Sequence, residues 1–139
     1  MTSYKEATRK AAKGLWNAFP VLIGVILLIS LATTLISPTT YTKLFSGSYA
    51  LDPLIGGAIG SVLAGNPVTS YVLGGELLAQ GVSLVAVTAF LIAWVTVGIV
   101  QFPAEAYLLG KRFAITRNAA ALASAVIAAI IITAGVSVL

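Results

Sequence analysis

Four long blocks of apolar residues, at 15–36, 53–79, 82–110 and 118–139, make up most of this 139-residue chain. An α-helix rises about 1.5 Å per residue and the hydrocarbon core of a bilayer is about 30 Å thick, so about 20 residues are enough to cross it. The first and last blocks have 22 residues each and are predicted to be spanning helices. The first block is also too long for the apolar part of a signal peptide. The chain is therefore predicted to be an all-α integral membrane protein.

The composition excludes most functions of soluble proteins. Only 9% of the residues are charged, against roughly 25% in a soluble domain. The chain has no His and no Cys, which excludes disulfides, thiolate or imidazole metal sites and nucleophiles activated by histidine. We therefore expect no enzyme activity, no cofactor and no metal. The net charge of +4 comes from clusters beside apolar blocks, a pattern typical of membrane orientation and not of nucleic-acid binding.

The two basic clusters predict the topology. Four of the eight lysines and arginines lie in the segment 1–14, and three lie between 111 and 117. Short cytoplasmic loops collect such residues. Both clusters are cytoplasmic only if the block 53–79 enters and leaves the membrane on the same side. We predict three spans plus a re-entrant pair, with a kinked fourth span at 53–79 as the alternative.

This topology makes the chain one transmembrane domain, 15–139, preceded by a basic cytoplasmic or interfacial segment, 1–14. The predicted location is the inner membrane of a prokaryote. The N-terminus is predicted to be cytoplasmic, because the first basic cluster precedes the first span. The lipid bilayer is then the first expected partner.

The sequence Gly65-Asn66-Pro67 interrupts the second block. Glycine suits the residue that ends a helix, asparagine caps the next helix, and proline fits its first position. Half-helices are predicted at 53–64 and 68–79, each about 18 Å long and too short to cross alone. Non-helical backbone at membrane depth is stable only beside protein or water, so the break is predicted to line a cavity. The free amides of the second half-helix would there favour an anion or a polar solute.

Polar side chains continue from the break along two predicted helix faces, one on the second half-helix and one on the block 82–110. Pro103 is expected to leave the carbonyl of Ile99 without its helical partner. Glu105 has the alternative role of pairing with Lys111 or Arg112 near the membrane surface. The candidates for a substrate path are Asn66, Pro67, Thr69, Ser70, Glu76, Gln80, Trp94, Gln101 and Glu105.

Small residues at helical spacing predict close helix packing in two places. Small side chains let the backbones of two helices in a membrane approach each other. The residues are Gly56, Gly60 and Ala64 in the first half-helix, and Ala121, Ala125 and Ala129 in the last block.

The stretch from Gly60 to Asn118 resembles a family of permeases. The run 65–71, GNPVTSY, with Gly74-Gly75-Glu76 after it, is similar to the Asn-Pro segment of the predicted permeases related to the organoarsenical efflux permease ArsP and to YraQ. The later residues, among them Gln101, Pro103, Glu105, the run 110–113 and Arg117-Asn118, resemble half-length members of that group.

The resemblance implies a permease whose full-length relatives contain two related halves, each with an Asn-Pro break. A chain of this size resembles one half, so a working unit would need at least two copies. The arsenical permeases use a membrane cysteine, and this chain has none. The resemblance therefore carries over only Asn66 and Pro67.

These patterns favour a half-size permease or transporter subunit that passes a small polar or anionic solute near the break. We expect a homo-oligomer, with a dimer favoured, or assembly with an oppositely oriented partner. The alternative function is a non-transporting membrane scaffold or accessory subunit that binds partner helices.

Overall fold

The computed structural model describes residues 4–35, 40, 43–63 and 67–138, and every regular element in this part of the chain is helical. The prediction of an all-α fold is confirmed for these residues. Two compact units are present, 1–36 and 37–139. The helices are α1 Tyr4–Leu35, α2 Leu51–Val62, α3 Pro67–Ala79, α4 Leu84–Thr96, α5 Phe102–Leu108 and α6 Lys111–Val136.

The first unit consists of α1, a single helix of 32 residues with Pro20 in its interior. Helix α1 continues from the basic segment into the first apolar block, so the predicted boundary at residue 14 is not a helix boundary. Glu6 and Lys10 form an exposed ion pair one turn apart, at 3.5 Å. Such i, i+4 pairs add a few tenths of a kcal/mol to a helix.

Helix α4 is the centre of the second unit. Its sequence, LVAVTAFLIAWVT, is apolar around most of its circumference, and a helix of that kind needs neighbours on several sides. Helices α2, α3 and α6 all pack against it. Val85, Ala86, Val87, Ala89, Phe90, Ala93 and Trp94 are buried as a result.

Helix α2 packs against α4 through two glycines one turn apart. A Cβ atom at Gly56 would overlap the backbone carbonyl of Ala86, and one at Gly60 would overlap that of Phe90. Backbones can approach this closely only where a side chain is missing. Because both contacts advance by four residues in the same direction, α2 and α4 run parallel.

Helix α3 runs in the opposite direction to α4. Gly74 lies against the side chains of Val87 and Leu91, and the turn from α3 to α4 takes only residues 80–83. Gly81 has a φ of +85° in this turn, a conformation that glycine adopts without strain. The start of α2, the end of α3 and the start of α4 therefore lie together. We call this the basal end of α4, and the end at Thr96 the apical end.

Helix α6 also runs antiparallel to α4, through small residues. Ala129 packs with Val85 and Ala89, while Ala125 packs with Ala93 and Val97. Ala121 packs beside the second of these clusters. Of the predicted packing residues, Ala64 lies outside the described part of the chain.

The block 82–110, predicted as one span, is not one helix. Helix α4 ends at Thr96, Val97 is extended with ψ 123°, and α5 begins at Phe102. Pro103 occupies the first turn of α5, where a missing N–H costs nothing. The prediction that the Ile99 carbonyl has no partner is also wrong, because this carbonyl accepts a hydrogen bond from the Phe102 N–H at 3.2 Å.

Among the described residues, one helix is long and apolar enough to cross a membrane, the 26-residue α6. Helices α2 and α4 are apolar but have only 12 and 13 residues. Each is therefore about 18–20 Å long, short of the 30 Å of a hydrocarbon core. The number of spans stays a prediction.

Candidate functional site at the apical end of α4

Two interruptions of the helical chain meet at the apical end of α4. The first follows α2, which ends at Val62, and the second follows α4 at Thr96. Residues from both line one cleft of ≈ 50 Å³. Its lining residues are Ser61, Leu63, Trp94, Val95, Val97, Gly98, Ile99, Val100 and Gln101. Gly65 and Asn66 follow this lining within three residues but lie outside the described part of the chain.

Trp94 and Gln101, two predicted path residues, lie at this cleft. The Trp94 ring is 8% exposed and contacts Phe90 edge-on, with 5.4 Å between ring centroids. Gln101 is exposed, and its side-chain amide lies close to Gly98. A turn, and not the predicted helical face, brings these residues together.

Glu105 lies in α5 beside the cleft and pairs with Arg117. One carboxylate oxygen, Oε1, accepts a hydrogen bond from Arg117 Nη1 at 2.6 Å, and Oε2 accepts one from Asn118 Nδ2 at 3.1 Å. The alternative role, pairing with Lys111 or Arg112, is therefore wrong in its partner, which is Arg117. Those two residues occupy the first turn of α6 and are exposed, whereas the short connection after α5 brings Glu105 to the second and third turns.

Asn118 links the second interruption to α6. Its Oδ1 accepts a hydrogen bond from the Gly98 N–H at 2.9 Å, which replaces a bond that Gly98 would make inside a helix. Its Nδ2 donates to the Ala114 carbonyl at 2.9 Å as well as to Glu105. The side-chain amide is thereby paired at both its oxygen and its nitrogen, and the residue is 9% exposed.

Asn118 and Arg117 were not among the predicted path residues. A signal for Asn118 is nevertheless present in the sequence, because it shares a helical face with Ala125 and Ala129 at spacings of seven and eleven. An amide on an otherwise small, apolar face indicates a buried hydrogen-bonding role. Only the tertiary fold shows that Gly98 and Glu105 are its partners.

The polar residues of α3 do not line the apical cleft in the described structure. Ser70 is 1% exposed, and its hydroxyl donates to the Pro67 carbonyl at 2.7 Å. Gln80, the first residue after α3, donates to Oε1 of Glu76 in the last turn of that helix at 3.0 Å. Thr69 is buried. The structure thus gathers Trp94, Gln101 and Glu105 at the apical cleft, whereas the predicted path residues from Thr69 to Gln80 are not part of its lining.

A second polar cluster lies at the basal end of α4, around Asp52, and the sequence analysis missed it. Asp52 is 0% exposed. Its Oδ1 accepts from the Ser46 N–H at 3.1 Å, and its Oδ2 accepts from the Gly47 N–H at 3.1 Å and from Ser83 Oγ at 2.6 Å. This carboxylate joins the segment before α2, the first turn of α2 and the residue before α4.

In the part of the chain that the structure describes, no three acidic, histidine or cysteine residues come together as metal ligands would. Comparison with known proteins adds no relative: no family model matches the chain, and neither a curated protein nor a solved structure matches it. The resemblance to the permeases related to ArsP and YraQ therefore stays a prediction.

Proposed function

We propose that this chain is a half-size membrane permease subunit, and that a small polar or anionic solute passes beside the apical cleft. The observation that carries the proposal is the meeting of two helix interruptions at one cleft. Transporters commonly bind solutes at interrupted helices, because helix ends present free backbone groups there. The Asn-Pro break follows the residues that line this cleft, which supports its place on the path.

The directions of the helices support a re-entrant pair at 53–79. Helix α2 runs parallel to α4 and helix α3 runs antiparallel to it. The chain therefore returns to the basal end before α4 begins. A kinked span would continue in one direction. In the proposed topology the basic cluster of α6 is cytoplasmic, and the basal end faces the opposite side of a prokaryotic inner membrane.

The size of the cleft supports an oligomer. A volume of ≈ 50 Å³ has room for a few water molecules only, so the described residues of one chain do not enclose a path for a solute at this cleft. A second copy, or an oppositely oriented partner, would have to form the other wall. We therefore propose a homodimer as the working unit.

Flux measurements test the transport proposal. The purified chain is reconstituted in vesicles, and the flux of potassium nitrate with valinomycin and of glycerol is followed by stopped-flow light scattering. We expect faster flux than in empty vesicles for at least one probe. Asn66→Leu should reduce this flux about tenfold or more, because an apolar side chain removes the polar lining at the break.

Thr116→Val is the matched control, since it changes one polar side chain on the exposed surface of α6. This variant should keep the flux of the unmodified chain, and both variants should form the same cross-linked dimer. Equal flux of Asn66→Leu and Thr116→Val would contradict the proposal. So would flux of both probes no faster than in empty vesicles.

Cysteine labelling tests the re-entrant topology, because the chain has no cysteine of its own. Single cysteines replace Ser46, before α2, and Thr116, in α6. A membrane-impermeant maleimide should label them from opposite sides of the bilayer. Labelling of both from the same side would support a kinked fourth span instead.

A second candidate function is that of an accessory subunit that binds partner helices without transport. It is favoured by one observation: both carboxylate oxygens of Glu105 are already paired within the chain, by Arg117 and Asn118. A purely structural cluster would look the same. Normal assembly of Asn66→Leu together with unchanged flux would favour this function.

A further inference from the structure

We propose that the groove between α4 and α6 binds one acyl chain of an anionic phospholipid, with the lipid phosphate held by Arg117. The groove has a volume of ≈ 540 Å³ and opens to the surface of the second unit. Arg117 lies in its lining together with Ile92 and Val95 of α4 and Ala121 and Ala128 of α6. The proposal rests on the membrane location in the proposed function but not on transport.

The length of the groove fits one leaflet of a bilayer. Arg117 and Ala128 are eleven residues apart on one helix, about 16 Å at 1.5 Å per residue. Half of a 30 Å hydrocarbon core is about 15 Å. A lipid with its phosphate beside Arg117 would therefore extend its chain along the groove to about the middle of the membrane. The small side chains of α6 leave the groove open for it.

The charges at the apical end of the groove, where Arg117 lies, fit a phosphate. The Arg117 side chain is 35% exposed and uses Nη1 for Glu105, while a guanidinium has five N–H donors in all. Lys111 and Arg112 are exposed on the same helix. The first two turns of α6 thus carry three cations, of which only Arg117 is paired with a carboxylate, that of Glu105. A guanidinium binds phosphate in a planar, paired geometry, and basic pockets between helices on the cytoplasmic side are where anionic headgroups bind.

The same charges disfavour a second copy of the chain as the occupant. The basic clusters are predicted to orient every copy the same way in the membrane, so a parallel contact along this groove would bring the Arg117 side chains of two copies together. Like charges at close range repel one another. An anionic lipid instead neutralises the cluster.

The experiment measures which lipids the chain retains. The full chain is reconstituted in vesicles of equal amounts of phosphatidylglycerol and phosphatidylcholine, and retained lipid is counted by native mass spectrometry. We expect a preference for phosphatidylglycerol, which Arg117→Gln lowers about tenfold or more because it removes a charge-assisted hydrogen bond. Arg112→Gln is the matched control, with the same change of charge outside the groove, and should lower the preference at most about fivefold.

A second pair of variants leaves every charge in place. Ala128→Leu fills the groove, whereas Ala123→Leu adds the same atoms at an exposed position of α6 outside the groove lining. We expect Ala128→Leu to lose retained phosphatidylglycerol and Ala123→Leu to keep it. This pair decides the question without disturbing the ion pair between Glu105 and Arg117.

Equal retention by Ala128→Leu and Ala123→Leu would overturn the proposal, as would equal effects of Arg117→Gln and Arg112→Gln. Vesicle flotation separates this result from a failure of the proposed function. A chain that does not float with the vesicles contradicts the membrane location itself. A chain that floats but shows no lipid preference contradicts the lipid site alone, whatever its solute flux.

Discussion

Each end of α4 has a carboxylate that joins separate parts of the chain, three for Asp52 and two, α5 and α6, for Glu105, and the two clusters differ in their exposure. Asp52 at the basal end is 0% exposed and accepts three hydrogen bonds, two from backbone N–H groups and one from Ser83. Glu105 at the apical end has a side chain 17% exposed and pairs with Arg117, which is 35% exposed. The basal cluster is closed, whereas the apical one borders a cleft.

This difference separates a structural role from a functional one. A buried carboxylate holds its donors in place, because losing it would leave each of them unpaired. A partly exposed ion pair contributes less to stability than a fully buried one, since water can solvate both partners when the pair opens. In the proposed function, the apical pair would open beside a solute at a smaller cost in free energy than the basal cluster. The basal cluster would instead keep the helices fixed in position.

The largest expected effect is that of Asp52→Ala, which tests the closed end. Three hydrogen bonds to a fully buried carboxylate are lost. Water can reach the exposed Ser46 and Gly47, so we expect a loss of roughly 3–5 kcal/mol, below the sum for three fully buried charged bonds. Thermal unfolding in detergent, followed by circular dichroism, should show a midpoint lower by 10 °C or more, at about 4–8 °C per kcal/mol for a unit of this size. Asp52→Asn keeps one acceptor oxygen and should fall between. A midpoint within about 2 °C of that of the unmodified chain would show that the basal cluster does not stabilise the fold.

An intermediate effect is expected for Asn118→Ala at the apical end. The variant removes the acceptor of the Gly98 N–H and one donor to Glu105, but the neighbouring cleft lets water reach these groups. We expect a loss of about 1–2 kcal/mol, measured by the same thermal unfolding. Thr116→Ala, at an exposed position of α6, serves as the control and should stay within about 0.5 kcal/mol. A loss as large as that of Asp52→Ala would remove the difference between the two ends.

The sequence predicted the helical class, because apolar blocks of about 20 residues are much longer than strands and typical of helices. It also assigned Pro67 to the first position of a helix, and α3 begins there. It did not predict the end of α4, since the apolar pattern continues through Val97 and Ile99. The local signals for that end, Gly98 and Pro103, are ones that a helix can tolerate singly.

The polar clusters were harder to predict than the helices, because their partners are far apart in the chain. Asp52 and Ser83 are separated by 31 residues, and Glu105 and Asn118 by 13. Neither pair shares a helix, so helical spacing carries no information about it. The predicted partners of Glu105 were its nearest cations in sequence, whereas packing of α5 on α6 selects Arg117.

The smallest effect on stability, and the sharpest test of the comparison, is expected for Glu105→Gln. The amide can still accept a hydrogen bond from Arg117, and a partly exposed ion pair is worth less than about 1 kcal/mol, so unfolding should change little. The flux of nitrate relative to glycerol should nevertheless rise several-fold, because loss of the carboxylate raises the positive potential beside the cleft and attracts anions. Asp52→Asn should show the reverse pattern, with lower stability and an unchanged flux ratio in the fraction that stays folded. If Glu105→Gln instead lowers the unfolding midpoint as much as Asp52→Ala, the apical carboxylate is a structural support like the basal one, and the path for the solute lies elsewhere.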